Sequence, residues 1–319
     1  MDETGVCNFC RTAVSDNRLS NYRSQAEAQF LEIVRNSQGK SSFDVIVGWS
    51  GGKDSTYTLA MLKQKYGLKV LGFSFDNGFV SPGAMRNLFE VSENLGVDLM
   101  IVKPPFDLMK KIFRESIAQQ NGLYPEKALH RASVICNSCM GMAKFIALRI
   151  AIEKRIPLLA FGWTQGQSPT LGATLKIPAS TIRKTMEASA RPLRQLIGEE
   201  IRPYFLEEEH FADPALFPYN ISPLTWMDYD ENKIVEYIKQ YGWVRPQDTD
   251  PNSTNCLINA FANANHQRQL GFNPYAMELA EMVRRGKMTR EEALERLSTS
   301  EKPEVIRQVS KKLGLSVDR

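Results

Sequence analysis

The sequence predicts an α/β protein built on a doubly wound parallel sheet, with a short N-terminal cysteine module and a mostly helical C-terminal region. Three observations predict it: short apolar runs alternate with amphipathic stretches from about residue 41, a glycine-rich turn directly follows the first run, and no repeat or low-complexity tract breaks the alternation. At 319 residues, 43% hydrophobic and 24% charged, the chain can bury one or two sizeable cores.

Residues 1–40 carry Cys7-Asn8-Phe9-Cys10 and then a polar helical segment whose apolar positions are Phe30, Leu31, Ile33 and Val34. Residues 41–245 form the α/β domain. Within it, residues 45–47, 70–75, 99–102 and 158–161 read as buried parallel strands, because each is an unbroken apolar run of strand length. Between them, 57–66, 81–95, 106–120 and 140–154 have helical spacing. The segment 163–219, rich in proline and polar residues, is too long for a simple connection and is expected to fold as a substrate-covering insertion. Residues 220–224 return the chain to the sheet. The helix 230–241 closes the domain, and residues 246–319 form the helical C-terminal region, with helices at 256–270, 274–285 and 289–297. Thr289 and Glu292 stand at capping-box spacing.

The 40 basic residues are nearly balanced by 36 acidic ones, for a net charge of +4. This allows polyanion binding without demanding it. No unbroken apolar stretch approaches about 20 residues and the N-terminus lacks a signal-peptide pattern, so no membrane association and a cytoplasmic location are expected. There the five cysteines stay reduced, favouring metal binding or catalysis over disulfides.

Trp49-Ser50-Gly51-Gly52-Lys53-Asp54-Ser55 follows the first strand. A buried strand running through such a turn into a helix offers backbone N–H groups at the positive helix end, a setting for an anionic phosphate. Ser50 and Ser55 add hydroxyl donors, Gly51 and Gly52 permit close approach, and Lys53 supplies charge. Walker A spacing is absent, which excludes the P-loop kinases and GTPases.

This string resembles the PP-loop of the N-type ATP pyrophosphatases, an adenine nucleotide alpha hydrolase-like family, over about residues 43–245. The resemblance implies that ATP, with Mg²⁺, is cleaved between its α- and β-phosphates, that a substrate oxygen is adenylated, and that a nucleophile then displaces AMP. It makes residues 50–55 the ATP-binding loop, with Lys53 and Asp54 as its catalytic candidates. Asp76, at the end of the second strand, is expected to contact adenosine or the metal; an Asp-Asn-Gly turn is the structural alternative. Gly162 opens Gly162-Trp163-Thr164-Gln165-Gly166-Gln167 beyond the last strand, where many family members carry acidic residues that are absent here.

Cys136-Asn137-Ser138-Cys139 stands just before the expected helix 140–154, whose positive end would lower the thiol pKa values, and Cys256 follows in a distant loop. This arrangement resembles the iron–sulfur-dependent tRNA 2-thiolation enzymes of the superfamily, which implies a [4Fe-4S] cluster on Cys136, Cys139 and Cys256. The alternatives are a Cys₄ zinc site from Cys7, Cys10, Cys136 and Cys139, a persulfide-forming catalytic thiol, and inert buried cysteines. Lys144, about a turn beyond Cys139, is a third catalytic candidate or a solvated helix residue. The segment Gly5-Val6-Cys7-Asn8-Phe9-Cys10-Arg11 resembles half of the zinc knuckle of N-acetyl sugar amidotransferases, whose tail the segment 286–294 also resembles; zinc at Cys7 and Cys10 would need further ligands. Arg183 and Lys184 are candidates for a substrate anion or an ordinary basic face, and His130, His210 and His266 read as ordinary polar residues.

The leading expectation is an ATP-dependent sulfurtransferase that adenylates a carbonyl-type oxygen and inserts sulfur, taken from a donor protein or from sulfide, into a small-molecule or RNA acceptor. The alternative is an amidotransferase acting on a nucleotide sugar with ammonia from a partner glutaminase. A non-catalytic nucleotide or redox module is the third reading, and a homodimer is compatible with the family.

Overall fold

The computed structural model describes residues 3–4, 6–11, 16–119, 122–167, 174–249, 253–298 and 302–315. Its sheet contains β1 (Val45–Gly48), β2 (Val70–Phe75), β3 (Asp98–Val102), β4 (Leu158–Phe161), β5 (Thr174–Lys176) and β6 (Tyr219–Ile221). The helices are α1 (Asn8–Arg11), α2 (Asp16–Ser37), α3 (Lys53–Gln64), α4 (Pro82–Leu95), α5 (Phe106–Ala118), α6 (Glu126–Leu129), α7 (Val134–Glu153), α8 (Ala179–Ile197), α9 (Glu231–Lys239), α10 (Ile258–Leu270), α11 (Ala276–Arg284), α12 (Arg290–Ser298) and α13 (Pro303–Leu313).

The six strands lie in the order β3-β2-β1-β4-β6-β5, and only β5 runs antiparallel to its neighbour. The chain runs outward from β1 through β2 to β3, then returns to the other side of β1 as β4. Gly48 therefore faces Phe161 across the reversal point, and a crevice opens beyond these two C-terminal strand ends. Side chains alternate across the sheet. Val45 and Val47 enter one core with Phe30, Leu59, Leu88 and Trp243, while Ile46 enters the other with Phe113, Ile146 and Leu159.

Two expectations are corrected. Helix α7 starts at Val134, well before residue 140, with Ser133 as N-cap accepting the Cys136 N–H at 3.1 Å. Cys136 and Cys139 thus lie within its first turns; the polar Asn137 and Ser138 had hidden the helical pattern. Helix α7 is apolar and long enough to cross a membrane, yet it is packed inside the protein as a core helix. The segment 163–219 is the second correction. Its main helix, α8, packs on α5 and α7, burying Ile182, Ala190, Leu193 and Ile197, because its apolar stripe matches the outer face of α7. Helix α8 does not line the crevice; of the described residues of this segment, Trp163, Thr164 and Gln167 do. Residues from 275 to 296 line it as well, and the reciprocal Thr289–Glu292 capping box starts α12 there (2.8 and 3.1 Å). Residues 168–173 of this segment lie outside the described residues.

Gly162 shows how tightly the reversal point is built. A Cβ there would stand 2.8 Å from both Cα and N of Ser55, which are backbone atoms that cannot swing aside. Gly162→Ala is expected to destabilise the fold by about 1–3 kcal/mol through overpacking, read as a lower midpoint in urea denaturation.

Candidate active site

The first turn of α3 forms one end of a cavity of about 790 Å³ at the reversal point. Gly51 needs its left-handed conformation (φ +77°), and a Cβ there would come within 2.4 Å of the Ala84 carbonyl oxygen. Its own carbonyl accepts the Trp243 indole N–H at 3.0 Å, so the turn is fixed from behind. In front, Ser50 and Ser55 hydroxyls bond each other at 3.1 Å, and the Lys53 N–H donates to Thr254 Oγ1 at 3.1 Å. Asp54 and Ser55 occupy helical positions whose N–H groups have no intrahelical acceptor. The glycine at 162 keeps the approach to the Ser55 N–H open.

Lys53 Nζ pairs with Asp54 Oδ2 at 2.7 Å, and the Tyr229 hydroxyl donates to Asp54 Oδ1 at 2.9 Å. Burial alone would depress the Lys53 pKa, but Asp54, Tyr229 and Glu231 outweigh it and raise it above the ordinary ammonium value. Burial, reinforced by Asp54, likewise raises the Tyr229 pKa. Lys53 is therefore a fixed cation.

Cys136, Cys139 and Cys256 share another wall of the same cavity. The Asn77 amide donates to Cys139 Sγ at 3.2 Å and to Cys256 Sγ at 3.8 Å, while the Cys136 thiol faces Asn259 Oδ1 at 3.8 Å. Burial pushes the Cys256 thiol up to about 12, and burial with the neighbouring Cys256 raises Cys139 as well. The expected lowering by the helix end is thus reversed for Cys139, because desolvation of a thiolate outweighs a partial charge at the helix terminus.

Several candidates fall elsewhere. Asp76 points away from the cavity, accepting the Gly78 N–H at 2.9 Å and pairing with Lys103 at 2.8 Å; Asn77 faces the thiols in its place. The cause is strand alternation, which sends Phe75 and Asn77 one way and Asp76 the other. Cys7 and Cys10 lie at the surface by Arg284, with the Cys10 N–H 3.4 Å from Cys7 Sγ. They do not join Cys136 and Cys139, and among the described residues no group of three or more His, Cys, Asp or Glu is placed to hold one metal ion. The proposed four-cysteine zinc site is therefore not formed. Arg183 is held by Glu208 away from the cavity.

Lys144 lines the cavity with its Nζ 4.9 Å from the centre of the Trp163 ring. Solvent reaches it through the cavity, but protein surrounds it closely enough to hold its pKa below the usual value. The residue that sequence reasoning missed is Glu278 of α11. It accepts from Thr164 Oγ1 at 3.2 Å and Gln167 Nε2 at 3.0 Å, supplying a carboxylate to the acid-free loop after β4. Burial, with Asp54 adding to it, raises its pKa. Only the polar pair Thr164 and Gln167 hinted in the sequence that an acceptor would come from elsewhere.

No family model matches the chain. The uncharacterized protein MJ1599 of Methanocaldococcus jannaschii is 24% identical over 289 residues, covering 91% of this chain and 84% of its own. Among solved structures, the U34-tRNA thiolase NcsA from Methanococcus maripaludis, determined with its [4Fe-4S] cluster, superposes with TM-score 0.40 at 15% identity, covering 93% of this chain and 83% of that one. The NMN synthetase from Francisella tularensis gives TM-score 0.41 at 14% identity, with coverage of 93% and 97%.

The thiols should separate by reactivity. Cys7, half-buried at the surface and with its pKa lowered by the Cys10 N–H and thiol, is expected to react first with iodoacetamide near neutral pH. Cys139 and Cys256 should lag by about tenfold or more, as peptide mass spectrometry would read. Equal rates would contradict the burial described here.

Proposed function

We propose that this protein is a PP-loop ATP pyrophosphatase that transfers sulfur: it adenylates an acceptor oxygen at the 50–55 turn and uses the three-cysteine wall to present sulfur. The observation that carries the reading is that the turn and the thiols line one cavity. The chemistry is self-consistent. The acceptor oxygen bonds to the α-phosphorus as the bond to the bridging oxygen breaks, and pyrophosphate leaves with the electron pair. A sulfur nucleophile then displaces AMP from the adenylated carbon.

The chain's own groups have assignable parts. The first turn of α3 and the Lys53 ammonium bind phosphate, Asp54 is held in place by Tyr229 and Lys53, and Glu278, with its raised pKa, is placed to hold a proton within the cavity. The donor set Cys136, Cys139 and Cys256 suits an iron–sulfur cluster in its chemistry: all three are thiols, and all three line one cavity. Such a cluster, when bound, supplies an open iron for sulfide.

A second reading has one observation behind it. Gly286, Lys287, Met288 and Glu292, within the segment that resembles the tail of the sugar amidotransferases, line the cavity. An amidotransferase would use that wall for its acceptor and would need no thiols.

The test is ATP-dependent pyrophosphate release and thiolation against candidate acceptors, including tRNA and nucleotide sugars. Lys53→Ala is expected to lower pyrophosphate release by about 10²-fold or more. Cys256→Ala should keep ATP binding while losing thiolation. Retained thiolation in Cys256→Ala would remove that residue from the reaction, and ammonia-dependent product from the same variant would establish the second reading.

A further inference from the structure

Two arginines stand at the phosphate end of the cavity, and neither belongs to the glycine-rich loop. Arg245 follows α9 and Arg296 lies in α12, yet both line the cavity together with Lys53. Between them sits Glu231, the first residue of α9. Its Oε1 accepts from Arg245 Nη2 at 3.0 Å, and its Oε2 accepts from Arg296 Nη1 and Nη2, each at 3.3 Å. Burial would raise the Glu231 pKa, but the charges of Lys53, Arg296 and Arg245 hold it below the ordinary carboxylate value. Three cations from three separate elements thus converge on one carboxylate beside the α3 N-terminus.

The arginine side chains are 43% and 40% exposed, so the pairs add little to stability and remain exchangeable. Each guanidinium carries five N–H donors in a fork that matches a phosphate, and one fork can serve a carboxylate and a phosphate at once. Lys53 is a single point charge, too little to hold a pyrophosphate group alone.

We propose that Arg245 and Arg296 are the terminal-phosphate clamp of this site, taking the β- and γ-phosphates of ATP and then the pyrophosphate product, while Glu231 keeps the two guanidinium groups aligned. The proposal rests on the nucleotide reading above. It makes the C-terminal region part of the nucleotide site, since α12 supplies one jaw.

The test is calorimetric titration of the full-length protein, with magnesium, by inorganic pyrophosphate and separately by AMP. Arg245→Ala and Arg296→Ala are each expected to weaken pyrophosphate binding by about tenfold or more while AMP affinity stays unchanged, and Arg296→Lys should recover part of the loss. Thermal melts check that each variant is folded; should Arg296→Ala not fold, Arg245→Ala and Arg296→Lys carry the test. Pyrophosphate affinity within about twofold of wild type in folded variants overturns the clamp, as does a parallel loss of AMP affinity, which would mark a purely structural pairing. Wild type that binds AMP but not pyrophosphate also overturns it. Wild type that binds neither overturns the nucleotide reading itself.

Discussion

A short backbone stitch holds the candidate site together. The loop from Ser253 to Leu257 is tied to the chain leaving β2 by Ser81 N–H to the Asn255 carbonyl (2.9 Å), Leu257 N–H to the Phe79 carbonyl (2.9 Å) and the antiparallel bridge between Val80 and Cys256. One loop thereby performs two placements. Thr254 accepts the Lys53 N–H on the 50–55 turn, and Cys256 joins Cys136 and Cys139 beside Asn77. Without it Thr254 would not be held against the 50–55 turn, and the thiol wall would lose one member.

The charge layout follows from this closure. Burial of the cavity lining raises the pKa of Glu278, Cys139 and Cys256 and lowers that of Lys144. Each shift is toward the neutral form. Lys53 is the exception, because Asp54 compensates its charge directly. A cavity whose cations Lys53, Arg245 and Arg296 are each paired with a carboxylate, and whose other titratable groups include several pressed toward neutrality, is suited to binding a charged ligand and then moving protons.

Much of this was legible in the sequence, for identifiable reasons. The four central strands are unbroken apolar runs, and the glycines of the 50–55 turn, with Gly162, mark places where backbone meets backbone, so the strands and the turn could be anticipated, whereas the order of the strands could not. Cys136, Cys139 and Cys256, which the resemblance groups as ligands, line one cavity. What escaped reading depends on contacts distant in sequence. Glu278 reaches the loop after β4 only because α11 folds over it, and Arg296 meets Glu231 only because α12 does. Asp76 reads from its position at the strand end as a contact for the ligand, whereas the strand's two-residue alternation turns Asn77 toward the cavity instead. Helix α7 was started too late because its cysteines sit among small polar residues that carry no apolar period, and α8 looked like a lid because its polar face dominates its composition.

The proposed sulfur transfer depends on the three thiols beside the 50–55 turn acting as ligands of an iron–sulfur centre. Its most direct test is purification without oxygen, followed by an absorption spectrum and iron, sulfide and zinc analysis of wild type and Cys136→Ala. The account predicts a brown wild-type protein with a broad visible band, containing iron and sulfide that the variant lacks. A colourless wild type that takes up no iron on reconstitution and carries only zinc would contradict it.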